Sequence, residues 1–106
     1  MQQDRILSML GLAARAGKIA SGEFSTERAV KSGRAFLVVV STESSDNTHK
    51  MFRNMCSFYH VPMYLYAPKE TLGHAVGRGF RASLAVLDEG FAASLIEKLD
   101  VADKTE

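Results

Sequence analysis

Five consecutive apolar residues, Phe36-Leu37-Val38-Val39-Val40, stand near the middle of the chain and are mostly β-branched. That is the pattern of a strand covered on both faces. Before it, Ile6, Leu10, Ala13 and Ala14 keep helical spacing from about Asp4 to Ala14, and Ala16-Gly17 ends the run. Lys18-Ile19-Ala20 is a short extended piece, after which Ser21 and Gly22 open a helix, with Ser21 as its N-cap, and Gly33 with Arg34 stops it. Beyond the strand, Ser41 to Ser45 is a polar loop, and Asp46 or Asn47 caps a helix whose apolar face is Met51, Phe52, Met55, Phe58 and Tyr59. His60-Val61-Pro62 breaks that helix, Met63 to Tyr66 reads as a strand, and Pro68 opens a short helix carrying Leu72, Ala75 and Val76. Gly77-Arg78-Gly79 is a turn, Ala82 to Leu87 the last strand, and Asp88 caps a final helix with Phe91, Ala92, Leu95, Ile96 and Leu99 inward. The residues after about Asp100 read as a frayed tail.

Helices and short apolar strands thus alternate, which predicts an α/β fold: a three-layer α/β/α sandwich around a small mixed four-stranded sheet. The 106 residues make one domain, 1–106, and 46% hydrophobic with 24% charged residues suits an ordinary globular protein. No apolar run reaches the roughly 18 residues of a membrane span, and the N-terminal segment reads as an amphipathic helix, so the expectation is a cytoplasmic monomer with no membrane partner. The single Cys56 fits a reducing compartment and a small buried side chain.

The helix opened by Ser21 and Gly22 changes this plain picture. At about 100° per residue, Thr26, Ala29, Val30 and Gly33 fall on one side, with Phe24, Arg28 and Lys31 almost opposite. A large aromatic on a solvated face needs a reason. Two readings stand: Phe24 tucks back under the chain as a hydrophobic staple, or it faces out beside cations and the positive helix end, where an unstacked RNA base would meet it. The net charge of +1 divides unevenly: Arg15, Lys18, Arg28, Lys31 and Arg34 stand against only Glu23 and Glu27 from residue 15 to 34. From Asp88 onward, six acids face two lysines. A cationic end is the footprint of a polyanionic partner. Gly77 to Arg81 adds two guanidiniums, Phe80 and two glycines that permit close approach. Loops at one end of such a sheet bring Gly22, the Ser41 to Ser45 loop and this turn together.

Catalytic signals are thin. There is no phosphate-binding loop, nucleophile elbow or paired-cysteine metal site, and neither a cofactor nor a metal is expected. Gly77-Arg78-Gly79-Phe80-Arg81-Ala82 matches G-x-G-x-x-A but follows a helix and enters a strand, the reverse of a dinucleotide site. Cys56 and His60 are four apart, the spacing of a thiol with its base, without an orienting third group. His49 and His74 read as surface histidines, Asp46 and Asp88 as helix caps.

The run Gly22-Glu23-Phe24-Ser25-Thr26-Glu27-Arg28-Ala29-Val30 with Gly33, then Phe36 to Val40, Val61-Pro62-Met63, Lys69 to Gly73 and Arg81 to Leu87 resembles the L-seven-Ae ribosomal protein family over nearly the whole chain. The likeness is closest to its small bacterial branch, described as ribosome-associated or kink-turn RNA-binding proteins. It implies a single α/β/α sandwich. The family's marker, G-x-N-E-x-x-K at the start of the RNA-contacting helix, keeps its glycine as Gly22 and its cation as Arg28, but carries Phe24 at the Asn position and Ser25 at the Glu position. That exchange removes the side chains suited to base edges and favours stacking of Phe24 on an extruded base. The family's second contact maps onto Gly77 to Ala82, and a looser one onto Thr42 to Ser44.

The expected function is therefore a non-enzymatic binder of structured RNA, ribosomal or of another kind, with a kink-turn or internal loop as target and the ribosome as setting. Its candidate residues are Lys18, Gly22, Glu23, Phe24, Ser25, Thr26, Arg28 and Lys31, with Arg78, Gly79 and Arg81. Gly22 permits approach, Phe24 stacks, Ser25 and Thr26 donate hydrogen bonds, and Arg28, Lys31, Arg78 and Arg81 neutralise phosphates. The rival is a protein–protein adaptor on a diverged RNA-binding scaffold, with Phe24 as its hot spot.

Overall fold

A computed structural model of the chain describes residues 4–104. Its elements are α1 (Arg5–Arg15), β1 (Ile19–Ser21), α2 (Glu23–Lys31), β2 (Leu37–Val40), α3 (Asp46–Tyr59), β3 (Met63–Leu65), α4 (Lys69–Ala75), β4 (Ser83–Val86) and α5 (Glu89–Lys104). The apolar run is the central strand: every residue of β2 is fully buried, as are those of β4. The sheet order is β1-β4-β2-β3, with β2 and β3 parallel and the other neighbours antiparallel.

Strand side chains alternate between faces, and here each face has its own helices. Leu37, Val39, Leu84 and Val86 pack with Ile6 and Leu10 of α1, Leu72 of α4, and Leu95 and Leu99 of α5. Val38, Val40 and Ala85 pack with Ala29 and Val30 of α2 and Phe52 and Cys56 of α3. The α/β/α sandwich around a mixed four-stranded sheet is the architecture that the alternation of elements predicts.

Several details differ from the sequence reading. Ser21 does not cap α2. It ends β1, and the N-cap is Gly22, which has no side chain to offer. α3 is capped by Ser45, whose Oγ accepts from the Thr48 N–H at 3.1 Å, rather than by Asp46 or Asn47. Phe58 and Tyr59 are not inward: Phe58 is 75% exposed and Tyr59 39%, because α3 ends at His60 in the left-handed region (φ 60°) and buries only Phe52 and Cys56 fully. Phe36 precedes the strand and is partly exposed. β3 ends at Leu65, before Tyr66, and β4 is shorter than the expected Ala82 to Leu87. α5, with Asp88 accepting from the Phe91 N–H at 2.9 Å, runs to Lys104, past the point where fraying was expected. The hydroxyl of Tyr64 donates to Asp100 and ties that turn to the sheet, while residues 105–106 of the expected tail lie outside the described residues.

Candidate nucleic-acid interface

The start of α2 is fixed by the sheet. Gly22 continues the β1–β4 pairing by donating its N–H to Ser83 O at 2.9 Å, then turns into the helix at φ 98°, ψ 156°, a region only glycine occupies readily. Its N–H is therefore engaged, and the uncapped donors of the helix are those of the first turn after it, where no side chain supplies a cap. Phe24 stands on that turn 71% exposed, so the staple reading fails. The Arg28 guanidinium lies 5.8 Å from the centroid of the Phe24 ring, within cation–π range, and both flank a shallow depression with Glu27 and Lys31. One turn of helix thus presents an aromatic plane with a cation over it.

The second basic segment is brought to the same place. Arg81 Nε donates to Ser21 Oγ at 3.0 Å, and its Nη1 to the carbonyl of Phe80 at 2.9 Å, so the residue expected to cap α2 instead orients a guanidinium. Ser21, Ser25, Arg78 and Arg81 line a polar cleft of about 420 Å³ between the β1–α2 junction and the loop after α4. Phe80 is 69% exposed. The loop is held from behind by a close approach to α4: a Cβ at Gly73 would sit 1.5 Å from Gly79 O, and the Arg78 N–H donates to Gly73 O at 2.8 Å. The Ser41 to Ser45 loop joins this end too. Ser41 N–H donates to Ala82 O at 2.8 Å and Ser44 Oγ to the same carbonyl at 3.4 Å, while Thr42 stays exposed.

Three of the expected residues depart from the roles the sequence suggests. Thr26 is fully buried, its Oγ1 accepting from Ser83 Oγ at 3.2 Å, so it cannot donate to a ligand. Lys31 is exposed but its ammonium is 2.8 Å from Glu27, which ties up the charge. Hydrogen bonding to Glu27 is also the main cause that raises its pKa. Lys18 sits at the other end of β1, where its carbonyl accepts from the Leu87 N–H at 2.8 Å. Glu23 is exposed in the first turn of α2, where a carboxylate suits the helix dipole. The sequence reading missed Gly73 and the holding role of Ser21. Gly73 did leave a signal, since glycine inside a helix costs about 1 kcal/mol against alanine and asks for a reason.

The alternative chemistry does not assemble. The Cys56 thiol is buried, and burial pushes its pKa up to about 11, away from the thiolate a nucleophile needs. His49 approaches Ser41 O at 2.9 Å, and among the described residues no group of three or more His, Cys, Asp or Glu could hold a metal ion. No helix among them is long and apolar enough to cross a membrane.

The model of the ribosomal protein L7Ae/L30e/S12e/Gadd45 family matches residues 4–96. The chain belongs to this family. Among L7Ae-family relatives, the RNA-binding protein YlxQ of Bacillus subtilis (strain 168) is 39% identical over 92 residues, covering 87% of this chain and 92% of its own. The RNA-binding protein YlxQ of Enterococcus faecium is 29% identical over 98 residues, covering 92% and 94%. Of solved structures, a Bacillus halodurans protein described as of unknown function superposes with a TM-score of 0.89 at 34% identity, over 92% of this chain and 99% of that one. The Giardia lamblia 15.5kD RNA binding protein superposes with a TM-score of 0.78 at 18% identity, over 95% and 92%. The L7Ae-type fold is therefore shared across that sequence distance.

Proposed function

We propose that this protein binds structured RNA in the cytoplasm, in a ribosomal setting, and that it acts by binding rather than by catalysis. The target is a kinked or internal-loop RNA, held between the first turn of α2 and the Gly77 to Arg81 loop. The observation that carries the reading is the Arg81–Ser21 hydrogen bond, which joins the two basic segments around one cleft. The names of the YlxQ relatives supply the class of ligand. Arg28, Arg78 and Arg81 face phosphates, uncapped N–H groups of α2 add a partial positive charge, and Phe24 stacks on an unpaired base. Stacking accepts any base, so recognition rests more on RNA shape than on base edges.

The test is a titration against a kink-turn RNA and a plain duplex of equal length, at low and physiological salt. Tighter binding to the kink-turn is expected, with Arg28→Ala weakening it and lowering the salt slope by about one. Equal binding to both RNAs removes the shape preference. No binding to either, or an affinity indifferent to salt and to Arg28→Ala, overturns the reading in favour of a protein partner.

A further inference from the structure

The aromatic surface does not stop at Phe24. Phe24, Arg28 and Lys31 are spaced i, i+4, i+7 and form one exposed stripe along α2, whose nine residues span about 13 Å. Beside that stripe α2 packs on α3, Ala29 and Val30 of the one sharing a cluster with Phe52 and Cys56 of the other, and α3 ends in the exposed rings Phe58 and Tyr59. Tyr59 in turn meets Phe58 edge to face, with ring centroids 4.9 Å apart. Phe58 follows Met51 and Met55 by seven and three residues, and those methionines pack into the cluster that holds Ala29 and Val30 of α2. Phe58 therefore continues the row of Met51 and Met55 along α3, at the edge of the cluster shared with α2.

The helix that carries Phe58 is cationic past its first turn. After its first residue, Asp46, α3 carries no carboxylate, and its cations are Lys50 and Arg53. Of the two carboxylates of α2, Glu27 pairs with Lys31 at 2.8 Å and Glu23 stays in the first turn. Exposed rings on two neighbouring helices, one of them under the Arg28 guanidinium, suit a flexible polyanion whose bases are free to stack. A duplex hides its base faces and cannot use Phe58.

We infer that a single-stranded RNA flank leaves the Phe24 site, follows the outer face of α2 and stacks on Phe58 beside Tyr59 at the end of α3. This rests on the reading of the α2 start as an RNA site and adds a second, separable contact to it. The stripe is long enough for a few nucleotides, at the low end of the about 4–16 that such surfaces cover.

The experiment compares one kink-turn hairpin, blunt or carrying a single-stranded extension of about six nucleotides, and the extension alone. Wild-type protein should bind the extended hairpin about fivefold or more tighter than the blunt one, the increment expected for a single stacked base. Phe58→Ala should lose that increment while binding the blunt hairpin unchanged, and Phe58→Trp should keep it. The natural chain has no tryptophan, so Phe58→Trp also reports directly: its fluorescence should be quenched by the extended hairpin and not by the blunt one. Equal binding of both hairpins by wild type, or an increment that survives Phe58→Ala, overturns the inference. If the blunt hairpin fails to bind but the free strand binds and quenches Phe58→Trp, the α2 reading falls and the α3 contact stands. If nothing binds, both fall.

Discussion

On the face of the sheet that carries α1, α4 and α5, the buried residues are mostly leucine: Leu10, Leu37, Leu72, Leu84, Leu95 and Leu99. On the face that carries α2 and α3 they are small, Ala29, Val30, Val38, Val40 and Ala85, with Phe52 the largest. Polar ties are placed in opposite ways. The leucine face has them at its rim, where Tyr66 donates to Asp4 at 2.6 Å and Tyr64 to Asp100. The small face has one inside, the buried Thr26–Ser83 pair. A face filled by volume holds its helices by area, and area tolerates small slides and rotations. A buried hydrogen bond does not, because a displaced hydroxyl is left unpaired. The helix held by that bond is the one that presents Phe24 and Arg28.

The largest test of this contrast is Leu95→Ala. It should cost about 2–5 kcal/mol of stability, read from the urea midpoint, while the folded fraction keeps its RNA affinity. Thr26→Val comes next, at about 1–3 kcal/mol, because the Ser83 hydroxyl then stays buried without a partner. Unlike Leu95→Ala it should also weaken RNA binding, and adding Ser83→Ala should recover most of the stability. A Thr26→Val protein with full stability and full affinity would remove the distinction between the faces.

The smallest effect lies at the rim. Tyr64 is pushed up to about 12, chiefly by its hydrogen bond to Asp100, and Tyr66 to about 12, chiefly by burial and then by Asp4. Folding therefore favours the neutral phenols. Their contribution is present below about pH 10 and is lost as pH rises from there towards 12. An absorbance titration should show two tyrosines ionising late, and Tyr64→Phe with Tyr66→Phe should abolish that phase and flatten the alkaline fall in stability.

Much of this was legible in the chain. Helical projection put Thr26, Ala29 and Val30 inward and Phe24 and Arg28 outward, and the valine run placed the central strand. The same projection already argued against Thr26 as a ligand donor, since it shares the side of Ala29. What periodicity could not reach were contacts between distant segments. Ser21 looks like a helix cap because Ser followed by a helical run usually is one, but strand pairing with β4 takes it into the sheet and gives its hydroxyl to Arg81. Phe58 and Tyr59 fit the apolar spacing of α3, yet the helix ends there and nothing of the core extends beyond it to cover them. Lys31 looked like a free cation until the i, i+4 pair with Glu27 formed. Local pattern reads burial well in the middle of elements and poorly at their ends, and the candidate site is built from ends.

The contact between Gly73 and Gly79 bears on how tightly the site can hold a ligand. A turn with two glycines and two arginines would ordinarily sample many shapes, and a ligand would have to select one of them. Here its backbone is already packed against α4 and bonded to it at Arg78, so the loss of freedom is charged to folding rather than to association. The loop is then a fixed half of the cleft and not a closing lid, and binding should be fast, with affinity set by the rate of release.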